Sequence, residues 1–250
     1  MKARRIFHIA ALVAMLLLLW QTLYLLFGQR VLTPPWTTFV NAWTVLKSLE
    51  YWPDIAESMR AFSIALLIAC GLGMMGGLLI GSWRASTEVL EPLLVNINTV
   101  PKVALYPIVL LIFGLGIWAK VVFGVLHGIV PVMISSIGAV RSVNPIFVRC
   151  ARTMHLTRSQ MLSRIWVPAC IPEIFSGLRL GFSLTLLGTI FGEFFASQKG
   201  IGFLLMNAID LRNVPMIMSL ILILIVFALL ANSVLLAVDR RLHRQNQVHG

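Results

Sequence analysis

Charge is scarce in this chain. Asp, Glu, Lys and Arg make up 12% of its 250 residues, about half the roughly 25% usual in a soluble domain. That scarcity argues against a soluble globular enzyme. Cysteine is scarcer still, with Cys70, Cys150 and Cys170 alone. Their number is odd and no C-x-x-C pair occurs, which argues against a disulfide framework and a zinc site. No G-x-x-x-x-G-K-[ST] run is present, so the chain has no P-loop for ATP, and no H-E-x-x-H marks a metalloprotease. His8, His127, His155, His243 and His249 have no ligand-like spacing, and no Ser, His and acid residues group as a triad. No catalytic residue, metal site or cofactor site is expected.

Apolar residues, by contrast, reach 59%, with a mean hydropathy of +0.92. These values point to a polytopic membrane protein. At ~20 residues per span, the length accommodates about six spans with short connections and leaves no room for a separate soluble domain. The apolar runs fall at residues 6–27, 61–83, 103–113, 121–138, 174–195 and 216–238. The first is long for a signal peptide and no A-x-A site follows it, so an uncleaved span is expected. Residues 28–57 read as a loop, whose Trp36, Trp43, Tyr51 and Trp52 suit a membrane interface. Residues 84–102 read as a polar connection and 196–213 as a short loop. The run at 103–113 is too short to span alone and holds Pro107. It is expected to borrow residues from the preceding segment as a broken helix, lining a protein or water-filled cavity.

Gly71-Leu-Gly73-Met-Met-Gly76 fits the G-x-G-x-x-G dinucleotide pattern, but no strand precedes it and it lies within an apolar run. Gly73, Gly77 and Gly81 recur every four residues, as do the pairs Gly177/Gly181 and Gly188/Gly192. That spacing predicts close helix packing. His127, alone in a span, is expected to be packed and hydrogen-bonded. Thr185, Thr189 and Glu193 stand at i, i+4 and i+8, on one helical face. Such a face turns to a cavity or the bundle interior, because lipid leaves polar groups unsatisfied. Asn98, Thr99, Thr185, Thr189 and Glu193 are therefore candidate pathway residues. Glu193 is further expected to accept hydrogen bonds from backbone N–H groups of residues 200–202.

The 139–172 stretch carries Arg141, Arg149, Arg152, Arg158 and Arg164, with apolar residues at helical spacing. One or two amphipathic helices are predicted, ended by Pro168 and Pro172. With the N-terminus inside, these five arginines join Lys2, Arg4, Arg5, Arg84, Lys102, Arg240, Arg241 and Arg244 on the cytoplasmic side. Arg30, Lys47, Arg60, Lys120, Lys199 and Arg212 fall outside, and Arg179 lies within the fifth span. The bias satisfies the positive-inside rule and accounts for the net charge of +11 without nucleic acid. Both termini are then cytoplasmic, and Cys150 and Cys170 sit where thiols stay reduced.

Within this stretch, Arg149-Cys150-Ala151, three residues, His155, nine residues and Ile165-Trp166-Val167-Pro168 resemble the signature E-A-A-x3-G-x9-I-x-L-P. That signature marks the permeases of binding-protein-dependent ABC importers. Among its departures from that signature, Arg149 replaces Glu and His155 replaces Gly. Other segments resemble the alkanesulfonate/taurine/nitrate branch. They are Ser58-Met59-Arg60-Ala61-Phe62, Glu91-Pro92-Leu93, the run Asn98 to Pro107, Phe113-Gly114, Arg179-Leu180-Gly181, Glu193 and the run Gly200 to Ala208. The similarity covers roughly 36–241.

The resemblance implies an all-α polytopic integral membrane protein of about six transmembrane helices with the type I ABC importer permease fold. The whole of 1–250 would form one permease domain, with its core at about 50–240 and a cytoplasmic coupling loop at 139–172. It implies a homodimer with a second permease copy, a cytoplasmic ABC ATPase dimer carrying ATP and Mg, and an extracytoplasmic substrate-binding protein. The location implied is the inner membrane, with lipid around the spans. The cargo implied is a small solute delivered by the binding protein, an anionic organic or inorganic one by preference, with sulfonates, nitrate, aromatic carboxylates and thiamine precursors all open. Residues carried over as ATPase-coupling positions are Arg149, Cys150, Ala151, Met154, His155, Ile165 and Pro168. A bulky charge at Ala151 is expected to abolish transport while the permease stays in the membrane. A channel or proton-coupled secondary transporter is the alternative; it would want paired intramembrane charges or two similar halves, and the sequence has neither.

Overall fold

Long apolar stretches form helices because a helix satisfies every backbone group within its own segment. The computed structural model describes residues 2–143 and 145–248. Its helices are α1 (Lys2–Phe27), α2 (Pro35–Lys47), α3 (Trp52–Gly81), α4 (Arg84–Thr99), α5 (Tyr106–Phe113), α6 (Ile117–Ser142), α7 (Pro145–Thr153), α8 (Arg158–Met161), α9 (Val167–Ala196), α10 (Ile201–Asp210) and α11 (Val214–Val248). A 3₁₀ turn, Lys102–Leu105, precedes α5, and a π-helical turn, Leu162–Trp166, joins α8 to α9. Among the described residues, five helices are long and apolar enough to cross a membrane. A sixth span exists if the bent pair Thr87–Thr99 and Lys102–Phe113, which meets at 81°, counts as one. The bend falls at Pro101, between the two pieces, as expected of a broken span.

Helix α6 is the centre of the bundle, sandwiched between α3 and α9. Small residues bring the three backbones together. A Cβ on Gly73 would lie 2.9 Å from the carbonyl oxygen of Ile129, and one on Gly77 only 2.5 Å from that of Met133. From the other side, a Cβ on Gly188 would lie 2.7 Å from the Phe123 carbonyl oxygen. Close approach matters here because lipid removes the hydrophobic drive between helices and leaves dispersion and polar contacts to hold them. Phe62, Phe182 and Phe227 pack edge-on between α3, α9 and α11, with the Phe62 and Phe182 centroids 5.0 Å apart. Helix α1 stands apart. None of its apolar span is buried within the chain, and its indole Trp20 Nε1 reaches the Thr33 carbonyl at 3.0 Å.

Four sequence expectations are corrected. Residues 28–57 are not one loop: they hold α2 and the first turns of α3, which reaches back to Trp52. The supposed polar connection 84–102 is mostly α4, a helix with one polar face and Pro92 inside it. The loop 196–213 contains α10. Pro168 and Pro172 do not end a helix, since α9 starts at Val167 and runs through both. Pro168 is tolerated because it directly follows the π-helical turn Leu162–Trp166, where the regular i→i−4 ladder is already interrupted.

Candidate functional site

Two regions concentrate the polar side chains, one at each end of α9. The first is the α7–α8 hairpin. Helix α7 closes with the Leu156 N–H bonded to the Ala151 carbonyl at 3.1 Å, which leaves His155 in the left-handed region with φ 51°. This is the Schellman arrangement, whose left-handed residue is commonly Gly. His155 thus stands where the signature carries Gly and adopts the backbone that Gly would. The next helix opens with a reciprocal pair: Thr157 N–H donates to Gln160 Oε1 at 3.0 Å, and Gln160 N–H donates to Thr157 Oγ1 at 3.3 Å. A Thr-x-x-Gln capping box explains why α8 begins there.

The hairpin sorts its residues into two faces. Arg149, Cys150, Met154 and His155 are exposed, Met154 at 71%. Ala151 is 1% exposed and turns into the chain, so the expectation that puts it on a contact surface is revised. Ile165 is half-buried and packs against a cluster of Ala139, Val140, Val143, Cys170 and Ile174. Pro168 lies in the first turn of α9, and its side chain is outside the described part of the structure. Close to the hairpin's root, Arg141 pairs with Glu91 at 2.6 Å, tying α6 to α4.

The second region is at the opposite end. Glu193, in the last turn of α9, is fully buried. Ser58 Oγ lies 2.7 Å from Glu193 Oε1 and 2.8 Å from Oε2, donating its proton to the carboxylate. Gly202 N–H donates to Glu193 Oε2 at 2.8 Å, Ile201 N–H to Ser58 Oγ at 2.7 Å, and Gly200 N–H to Asp54 Oδ1 at 2.7 Å. Lys120 Nζ, itself buried, donates to the Lys199 carbonyl at 2.7 Å and pairs with Glu57 at 3.4 Å. The expected hydrogen bond from the 200–202 segment to Glu193 is present. Sequence reasoning missed Asp54, Glu57, Ser58 and Lys120. Lys120 lies in the first turn of α6, where a lone lysine in an apolar helix is a signal for a partner.

The remaining candidates do not gather into a pathway. Thr185 and Thr189 are buried against Gly128 and Gly124 of α6. Thr189 Oγ1 donates to the Thr185 carbonyl at 2.9 Å. With Glu193 they fill a helix–helix contact, so the cavity-facing alternative is set aside for packing in the interior. Asn98 and Thr99 lie apart from them at the end of α4. Lys102 Nζ donates to the carbonyl and Oδ1 of Asn98, each at 3.1 Å, and Thr99 Oγ1 donates to the Asn96 carbonyl. These bonds satisfy backbone freed at the bend. His127 is packed, as expected: Nδ1 lies 2.8 Å from the Phe123 carbonyl, and its ring lies tilted against Phe123, with centroids 4.9 Å apart.

Residues 69–245 match the family described as binding-protein-dependent transport system inner membrane component. The chain is 28% identical over 231 residues to the putative aliphatic sulfonates transport permease SsuC of Bacillus subtilis, covering 92% of this chain and 84% of that one. It is 30% identical to the formylaminopyrimidine transport permease ThiX of Halalkalibacterium halodurans, over 76% of each. The taurine transport permease TauC of Escherichia coli is 27% identical, over 92% of this chain and 86% of its own.

Proposed function

Because the chain belongs to the binding-protein-dependent transport system inner membrane components, we propose that it couples ATP hydrolysis to solute entry through its α7–α8 hairpin. The family membership makes it a multi-pass, non-catalytic permease subunit of an ABC importer, working with ATPase and binding-protein partners. ATP and Mg belong to the ATPase subunit, and this chain needs no cofactor of its own.

The observation that carries the proposal is the hairpin's construction. A capped helix, a fixed left-handed turn and a second capped helix present Met154, Cys150 and Arg149 outward. An apolar knob with a basic rim suits a protein groove, since contact cores are poor in charge and rims are polar. The hairpin runs through a single π-helical turn into α9, so a push on it is delivered to a spanning helix as rigid-body movement. Two permease copies, each with its hairpin on one ATPase subunit, would close and open the pathway together. The 139–172 loop and both termini lie on the cytoplasmic side, in keeping with the basic residues collected there.

The cargo proposed is a small anionic organic or inorganic solute of the sulfonate type. Its support is the likeness to the sulfonate and taurine permeases. Two measurements test these readings. A cross-linker carried on Met154→Cys should capture the ATPase subunit in membranes; capture at no hairpin position would overturn the docking role. Titrating the partner binding protein with taurine, other alkanesulfonates, nitrate and formylaminopyrimidine should favour a sulfonate, and tightest binding of the neutral pyrimidine would overturn the anionic assignment.

A further inference from the structure

Helix α10 is held at its N-terminus by side chains from two other helices. Its opening N–H groups would lack helical partners. Gly200, Ile201 and Gly202 donate instead to Asp54, Ser58 and Glu193 in turn. Asp54 and Ser58 belong to α3, and Glu193 to α9. The positive end of a helix favours carboxylates, and two are supplied. Glu193 and Ser58 are buried, at 0% and 1% exposure. Moving α10 away from α9 would therefore strand a carboxylate and its donors away from water, which is costly. Lys120 closes the same junction from α6, through the Lys199 carbonyl and Glu57. There is no slack: a Cβ on Gly202 would lie 2.8 Å from the Ile190 carbonyl oxygen.

The other face of α10 carries the connection outward. Ile201 and Leu205 pack with Val45 of α2 and Leu220 of α11, and Tyr51 and Met216 border the cluster. Helix α10 thus joins α9 to the outer-end start of α11, with Val45 of α2 in the same cluster, beside a direct packing of α11 on α9. Helix α9 spans 30 residues, about 45 Å at 1.5 Å per residue. One end continues into the hairpin and the other ends in Glu193.

We infer that Asp54, Ser58 and Glu193 form the outer joint of the transport stroke, passing movement of α9 to α10 and so to the surface that meets the binding protein. The inference rests on the importer reading above. Glu193 is a positioning residue: it touches no solute and acts through α10. Its carboxylate does what an apolar contact cannot, because it holds backbone donors in one register while the bundle moves as a unit.

The test measures phosphate release by the complete importer in proteoliposomes, with and without the partner binding protein purified with its endogenous ligand. Glu193→Ala and Ser58→Ala should leave basal hydrolysis intact and lower the stimulation by the binding protein about fivefold or more, the scale of a typical coupling. Glu193→Gln should recover most of it, because its amide oxygen can still accept from Gly202 and its NH₂ can donate to Ser58. If Glu193→Ala does not assemble, Ser58→Ala decides, since it leaves the Glu193–Gly202 bond in place. Normal stimulation in an assembled Ser58→Ala complex, or failure of that variant to assemble, makes the cluster packing only and overturns the joint. No stimulation in the unaltered complex overturns the importer reading, and the joint falls with it.

Discussion

At Gly128 a single methyl group would occupy the place of the Thr185 hydroxyl. Overpacking in a tight core costs about 1–3 kcal/mol, and here the neighbour is a stiff β-branched side chain on a central helix. Gly128→Ala should lower the unfolding midpoint of the detergent-solubilised protein by several degrees, and Gly128→Leu should prevent assembly. Gly138, around which a Cβ would meet nothing within 4 Å, should tolerate Ala. The two cysteines near the hairpin also separate at this scale. Burial, with the neighbouring Glu173 carboxylate adding to it, pushes the Cys170 thiol up to about 11, while Cys150 is exposed. The thiolate is the reactive form, and a raised pKa keeps it rare until high pH. At pH 7.5 a maleimide should label Cys150 within minutes and leave Cys170 unmodified in the folded protein; equal labelling would show that Cys170 is not buried. The close packing at Gly73, Gly77, Gly181 and Gly188 was legible because small side chains at four-residue intervals leave one helical face bare, whereas Gly128 was not among the glycines so read. The burial of Cys170 was not legible, since no pattern around it distinguishes lipid from protein.

The α7–α8 hairpin shows what a spacing pattern carries and what it omits. Three residues after Ala151 and nine before Ile165 describe helix, turn and helix. The same spacing holds with His155 in place of Gly because His can take φ 51° at about 1–2 kcal/mol. Which face turns outward was not legible: Ala151 belongs to the motif yet packs inward. The two faces should respond differently to charge. Met154→Glu should abolish uptake while leaving the permease folded and in the membrane. Ala151→Glu, by burying a carboxylate, should lower the stability and the amount of the permease itself, read by its thermal midpoint and by immunoblot. A stable, abundant Ala151→Glu permease would contradict its burial. Helices α2, α4 and α10 escaped the sequence reading for a shared reason. Each is short or polar on one face, so none carries an apolar run long enough to signal a span.

Across the whole molecule, the placement of charge agrees with the placement of the two sites. Asp54, Glu57, Lys120 and Lys199 meet at one end of the bundle, while Arg141 and the basic hairpin lie at the other. With the bent pair counted as one span, the proposed alternation brings the end of α11 to the side where α1 starts. A reporter fused after Asn246 should read as cytoplasmic and one fused within residues 28–57 as external; the reverse pair of signals would invert the whole assignment, hairpin included.

Composition and hydropathy by themselves determined that this chain is a bundle of apolar helices, because a membrane admits few other backbones. The 149–168 spacing identified its family, and the broken third span followed from Pro107 and a run too short to cross. The tertiary structure decided the rest. Thr185 and Thr189 share a face in sequence, but whether that face meets a cavity or a helix depended on Gly124 and Gly128, some sixty residues away. Glu193 gains its role only where Ser58, 135 positions earlier in the chain, is brought within hydrogen-bonding reach. A periodic pattern records which residues share a face. The partner of that face is set by how close two backbones can come, and that is a property of both helices at once.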